Sequence, residues 1–302
     1  MKLTDTIADQ GTGRDTPLRS SRPALATTYE CGDPLLLQRI APLVDYLEIS
    51  PDSISRSTPE GVRLDEEMMA ELTGLGGEAR FLVHGVGLSI ASAGGFSQDY
   101  IRLLDDVFAR LPVVWHSEHL AYTMVDDEPL GTMLPPPRTR EALDMLCERI
   151  AFLQRRYPVP FLLEHIVRFL PEYPGEYSEA EFLNALTRRT GCGLVLDIYN
   201  LECDQENLGF DVEKFLGELD LAAVTELHLA GGVHYQGYRV DVHTQRSRES
   251  TIALAASVLE RAPRVRAVTF EFLKEAIPRL GHDAICGELQ HLREVLLYDR
   301  AC

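Results

Sequence analysis

Short apolar runs alternate with longer amphipathic stretches from about residue 24 to about residue 298, and this alternation predicts eight strand–helix pairs. Strands are expected at Ala24–Tyr29, Val44–Ser50, Arg80–His84, Val113–His116, Pro160–Glu164, Gly193–Asp197, Ala223–His228 and Ala267–Glu271. The helical stretches that follow them are Leu35–Ile40, Asp65–Leu72, Ser97–Leu111, Thr139–Tyr157, Ser178–Thr190, Asp211–Leu219, Glu249–Arg261 and His282–Leu297. The strand runs are continuously apolar rather than alternating, as strands buried on both faces require, and this favours a parallel sheet. No glycine-rich phosphate loop follows the first strand. Eight such pairs therefore predict an α/β fold, a closed TIM (β/α)8 barrel, over a doubly wound open sheet. Ser178 stands three residues before Glu181 at the spacing of a capping box, and Ser97 precedes another apolar-periodic run. The first helix is short, so a distortion is expected there. Gly85–Phe96, Tyr122–Arg138 and Asn200–Phe210 read as long loops after strands.

Composition narrows the class. The chain has 302 residues, 47 acidic against 29 basic, for a net charge of −18, with 45% hydrophobic and 25% charged residues. These are ordinary globular proportions, and one large barrel domain over residues 23–302 accommodates them. No apolar run approaches the roughly 18 residues of a membrane span. The opening residues lack the apolar segment of a signal peptide, so residues 1–22 read as a flexible polar arm. Six cysteines (Cys31, Cys147, Cys192, Cys203, Cys286 and Cys302) show no paired spacing, which argues against a disulfide scaffold or zinc ribbon and fits a reducing cytoplasm. So acidic a surface repels phosphate backbones, so nucleic acid is not an expected partner, whereas metal ions or a basic peptide are.

Catalytic groups of a barrel lie at the C-terminal ends of its strands, so the residues that close each apolar run carry the functional reading. FLVHG ends in His84, VVWHSEHL in His116, Glu118 and His119, and PFLLEH in Glu164 and His165. LVLDIYN ends in Asp197 and Asn200, ELHLAGG carries His228, VTFEF carries Glu271, and VDVH supplies Asp241 and His243. Any one histidine here has a plain structural reading as a hydrogen-bonded residue. Jointly, several carboxylates on one rim would repel unless cations neutralise them, so a metal site is expected. Imidazole and carboxylate without thiolate suit iron, manganese or zinc, and the ligand count exceeds what one ion needs. Glu164 and Asp197, between histidine-bearing strands, are candidates for bridging ions. The pairs Arg155–Arg156, Arg188–Arg189 and Arg264–Arg266 read as solvated charges near helix ends. Ser117 lacks a nucleophile elbow, which argues against a serine hydrolase.

The ordered segments HGVGLS, SEHLAY, LLEH, LDIYNLECDQENLGFD, ELHLAGG, VDVH and TFEF resemble the DUF692 family of multinuclear non-haem iron enzymes, relatives of the methanobactin biosynthesis oxidase subunit. The resemblance covers most of residues 24–298. It implies a xylose-isomerase-like TIM barrel that binds two or three irons of mixed valence and uses O2 to modify a cysteine of a ribosomally made precursor peptide. One ferric ion would bind the substrate thiolate while a neighbouring ferrous ion serves dioxygen. It also implies a small partner protein that holds the peptide leader. By motif position the iron ligands fall on His84, His119, Glu164, Asp197, Asn200, His228, Asp241, His243 and Glu271. Three positions depart from the family's usual residues: His165 stands for an asparagine, Gly232 for a histidine, with His234 two residues on, and Leu273 for an acid. His165, His116 and His234 are candidates for contacts behind the ligands. The rival readings are another metal-dependent barrel enzyme, either a sugar isomerase, with Lys274 the one lysine near a strand end, or an endonuclease, and a non-catalytic peptide-binding scaffold.

Overall fold

A computed structural model describes residues 22–59, 61–125, 128–169 and 175–298. Eight parallel strands close into a barrel: β1 (Ala24–Thr28), β2 (Tyr46–Ile49), β3 (Phe81–Gly85), β4 (Val113–His119), β5 (Phe161–Glu164), β6 (Gly193–Asp197), β7 (Val224–Leu229) and β8 (Ala267–Phe270). Each pairs with its neighbours in sequence order, and β8 returns to β1 through Ala24 opposite Ala267. This is the expected α/β barrel. The arm expected over residues 1–22 lies, apart from Arg22, outside the described residues.

Strand alternation sorts the side chains into two cores. Outward residues such as Leu163, Leu196, Leu227 and Phe270 pack beneath the helices in the large core. Inward residues Ala26, Leu82, Trp115, Leu162, Val195 and Ala267 form a small separate core inside the barrel. Two residues further along the same strands, the inward positions become His84, Glu164 and Asp197. The apolar plug thus ends where the polar layer begins, at the C-terminal mouth.

Several expectations are corrected. Asn200–Phe210 is not a loop, for residues Ile198–Leu208 form an α-helix that Asp197 caps and Gly209 ends in the left-handed conformation. Its buried side chains include Asn200, Glu202 and Asp204, so its polar residues face inward and obscure the amphipathic period. The stretch Tyr122–Arg138 contains an antiparallel hairpin, Tyr122–Val125 with Glu128–Leu134. Two more hairpins, Ser55–Thr58 with Gly61–Leu64 and Val233–Tyr235 with Tyr238–Val240, also rise after barrel strands. Strand β4 runs on to His119 rather than ending at His116. The last helix is α-helical only over His282–Leu292 and then widens into a π-helical turn, Arg293–Leu297.

Candidate metal centre

Seven side chains from seven strands meet at the C-terminal mouth. His84, His119, Glu164, Asp197 and His228 stand at or next to the ends of β3 to β7, Glu271 directly follows β8, and Glu48 comes from β2. They form three overlapping groups whose ligand atoms lie within 4.8 Å of one another: Glu48, His84 and His228; His84, His119 and Glu164; and Glu164, Asp197, His228 and Glu271. Glu164 Oε2 is 2.8 Å from His84 Nε2, 3.5 Å from His119 Nε2 and 3.8 Å from His228 Nδ1. Beside this cluster Asp241 and His243 pair at 2.6 Å, and His243 Nδ1 lies 3.8 Å from Glu271. His243 holds φ at 44°, a left-handed conformation uncommon outside glycine and typical of constrained sites.

Neighbouring residues set which histidine nitrogens face the centre. Ser117 donates to the Val83 carbonyl at 3.2 Å, so its oxygen accepts from His84 Nδ1 at 2.8 Å and leaves His84 Nε2 with a lone pair. His119 Nδ1 donates to the Gly85 carbonyl at 2.8 Å, with the same result for its Nε2. Gly85 is required there, because a Cβ would fall 2.0 Å from the Tyr100 hydroxyl and 2.3 Å from Glu118 Oε1. Such partners orient metal-binding imidazoles and fix their tautomers. Below the centre, Glu226 is wholly buried, accepts from Trp115 Nε1 at 2.7 Å and from the Thr269 hydroxyl, and lies 3.5 Å from His228 Nε2.

The donor atoms fit a cation better than they fit one another. Both oxygens of Glu48, His84 Nε2, Glu164 Oε2, Asp197 Oδ2, Asn200 Oδ1, both nitrogens of His228, Asp241 Oδ1 and His243 Nε2 are buried without a hydrogen-bond partner. The His84–Glu164 approach of 2.8 Å is close yet out of line for a hydrogen bond, as ligands converging on one ion are. Buried groups are otherwise nearly always satisfied, so a cluster of orphans on imidazole and carboxylate is the chemistry of a hard or borderline divalent ion.

Electrostatics agrees. Burial, opposed by His228 and reinforced by Glu271 and Asp241, holds Glu164 well above the carboxylate range, and burial with Glu164 and Asp241 does the same for Asp197. Burial pushes Glu48 up to about 7, against the pull of His228. Burial depresses His84, and burial with the nearby His84 depresses His119 to about 3, so both present neutral imidazoles at pH 7. Burial would depress His228 too, but Glu271, Glu48 and Glu164 outweigh it and raise it. Without metal, protons must hold these carboxylates together, and metal binding releases them.

A second layer of contacts braces the site. Asn207 receives the Arg239 amide and donates to the Arg239 carbonyl, both at 2.8 Å, clamping the hairpin that leads to Asp241 and His243. Asp204 holds the Arg168 amide and its Nε, both at 2.8 Å, and so ties the segment after β5 to the Ile198–Leu208 helix.

The three candidates for supporting contacts lie elsewhere. His116 faces outward from β4, pairs with Glu118 at 2.7 Å and packs near Phe108, Tyr157 and Phe161, because alternation carries residues 115, 117 and 119 inward. Glu118, placed with it among the strand-end groups, shares this outward position. His165 turns its ring toward Phe215, 6.1 Å away, with both ring nitrogens buried and without a hydrogen-bond partner, and its carbonyl accepts from Asn200 Nδ2 at 3.4 Å. His234 is exposed and pairs with Glu206. At Gly232 a Cβ would fall 2.3 Å from the Val240 carbonyl and 2.5 Å from the Tyr199 hydroxyl, so Tyr199 already fills the space. Leu273 is exposed, so no buried acid is missing there. The sequence reading missed Glu48, Ser117 and Glu226. Its usable signal was an acid or hydroxyl two residues from an inward position in an apolar run, as in YLEI, HSEH and ELHL.

His165 gives a pH test. Burial, with Arg168 adding, lowers it to about 3, below an unfolded value of about 6.5. The unfolded chain binds the proton first, so stability is full above about 6.5 and falls as pH drops towards 3. His165→Asn should flatten the stability slope between pH 7 and pH 5 by up to about 1.4 kcal/mol per pH unit, measured by denaturant titration. Identical slopes would mean that His165 is charged or exposed in the folded state.

Among the described residues no helix is long and apolar enough to cross a membrane. The barrel resembles a D-psicose 3-epimerase from Clostridium cellulolyticum, solved with D-tagatose, at 14% identity and TM-score 0.57 over 92% of this chain and 100% of that one. It also resembles an endonuclease IV from Thermus thermophilus, at 19% identity and TM-score 0.57 over 91% and 99%. These likenesses show the TIM-barrel fold and no more. A UPF0276 protein of Caulobacter vibrioides is 36% identical over 174 residues, 57% of this chain and 61% of that relative. The chain thus spans about three fifths of the length of the curated relatives it matches first. A further UPF0276 protein, from Anaeromyxobacter, is 31% identical over 66% of this chain and 70% of its own length. The model described as RiPP precursor modification enzyme MbnB/TglH/ChrH matches residues 31–296, nearly the whole barrel, and the chain belongs to that family, DUF692.

Proposed function

We propose that this chain is an iron-dependent oxidase that uses O2 to modify a cysteine of a ribosomally synthesised precursor peptide in a reducing cytoplasm, with a small partner protein holding the peptide's leader. The observation that carries the reading is the overlap of three ligand groups through His84, Glu164 and His228, which suits more than one ion in a shared site. Asn200, Asp241 and His243 would complete the ligand set. Iron held there would supply the acidity that keeps a substrate thiol as its anion and the electrons that O2 chemistry requires. None of the three groups contains a cysteine of this chain, so a thiolate would come from the substrate. Ser117 and the Gly85 carbonyl keep lone pairs of His84 and His119 turned inward, and the Leu82, Trp115 and Leu162 layer closes the barrel interior beneath the residues that would hold the metal.

Protein purified without oxygen is expected to hold about two or more irons per chain. With its peptide, the partner protein and O2, it should change the mass of a cysteine-bearing peptide but not of the serine variant. Less than one equivalent of iron, or an unchanged cysteine peptide, would overturn the reading in favour of a scaffold or another metal-dependent barrel enzyme.

A further inference from the structure

At the pole opposite the ligand cluster, a cavity of about 1140 Å³ opens at the N-terminal mouth of the barrel, among the first residues of its strands. This pole of a barrel ordinarily serves stability and is packed. Among the described residues four arginines line it, Arg22, Arg264, Arg266 and Arg293, against one acid, Asp45. That acid is already engaged, by Arg293 at 3.0 Å and by the Leu25 amide at 2.9 Å. Arg264 and Arg266 have no ion-pair partner among the described residues. Arg266 lies 5.0 Å from the Trp115 ring centre, and its Nε is buried without a hydrogen bond.

The chain carries a net charge of −18, yet Asp45 is the one acid at this mouth among the described residues. Uncompensated guanidinium groups at a concave surface focus a positive potential and present forked donors that match carboxylate and phosphate oxygens. The walls between them are apolar, with Val159, Pro160, Phe161, Pro263 and Val265. The volume exceeds the common span of about 300–1,000 Å³ for small-molecule sites, so a body of nucleotide size fits.

We propose that the N-terminal mouth is a second binding site, separate from the metal centre, for a small organic anion with a phosphate or carboxylate head held by Arg264 and Arg266 and a flat body against the apolar wall. Trp115 is the only tryptophan of the chain, so its fluorescence reports directly on the ligand's approach to Arg266.

The test titrates the metal-loaded full chain with inorganic phosphate, succinate and adenosine monophosphate, following Trp115 emission and, in parallel, heat of binding. At least one probe should give a saturable response with a midpoint below about 1 mM, and Arg264→Gln and Arg266→Gln should each weaken it about tenfold or more. Arg264→Gln is the decisive variant, since it does not touch the tryptophan. Preference for phosphate and adenosine monophosphate over succinate assigns a phosphorylated ligand, and the reverse a carboxylic one. Glu164→Gln, which is expected to empty much of the metal centre at the other pole, should still leave the midpoint unchanged, because the two sites are separate. The proposal is overturned by the absence of saturation with all three probes. It is overturned equally by a response that sodium chloride reproduces, or by one that Glu164→Gln abolishes and Arg264→Gln does not.

Discussion

Glu164→Gln is expected to remove most of the bound metal and yet leave the metal-free barrel more stable than the wild type. Glu164 belongs to two of the three ligand groups and approaches three histidines with a single oxygen. Losing even a supporting partner of a metal ligand costs about 10–100-fold in affinity, so losing this shared ligand should cost at least as much. In the metal-free state the sign reverses. Burial, reinforced by the charges of Glu271 and Asp241, holds the carboxyl protonated. The wild-type carboxyl is ionised in the unfolded chain and must take up a proton to fold at pH 7, a cost that grows with its raised folded pKa and that an amide of nearly the same volume does not carry. Metal analysis and thermal melts of chelator-treated protein read the two effects separately. Full metal content in the variant, or a lower melting temperature without metal, would show that Glu164 serves packing instead.

The residues that close the apolar runs could be found from sequence because one rule governs them: in a parallel barrel, inward residues at strand ends share one mouth. His84, His119, Glu164, Asp197, His228 and Glu271 follow that rule directly, and the structure brings them together. Glu48 was hidden because Ile49 extends its apolar run beyond it, so it did not look like a terminus. His116 misled because β4 continues three residues further than its apolar pattern, and one residue's shift in alternation turns a side chain from the mouth to the helix layer. The Ile198–Leu208 helix was hidden by its own function. Asn200, Glu202 and Asp204 face inward to hold the site's surroundings, so its buried face reads as polar. The hairpins after β2, β4 and β7 stand on the rim and bury little, and short strands of that kind leave weak periodicity.

Asp197 should separate into two roles under two substitutions. One oxygen, Oδ1, accepts from the Asn200 amide at 2.7 Å and caps the Ile198–Leu208 helix. The other, Oδ2, is buried without a partner and belongs to the group formed with Glu164, His228 and Glu271. Asparagine caps helices about as well as aspartate, so Asp197→Asn keeps the first function while presenting an amide nitrogen, which cannot ligate, to the second. Its metal content should fall while the metal-free protein melts at or above the wild-type temperature, since a buried carboxylate held high by burial and by Glu164 has gone. Asp197→Ala should lose the metal as well, and in addition about 0.5–2 kcal/mol of capping. The Asn200 amide that this strands is buried, so the capping loss falls at the upper end of that range. Because Asn207 of the same helix clamps Arg239, the loss should spread to the segment bearing Asp241 and His243. Hydrogen exchange of residues 198–208 in the metal-free proteins reads the difference, with protection kept in Asp197→Asn and lost in Asp197→Ala. Equal exchange in the two variants would mean that the cap contributes nothing, and undiminished metal in Asp197→Asn would remove Asp197 from the ligands.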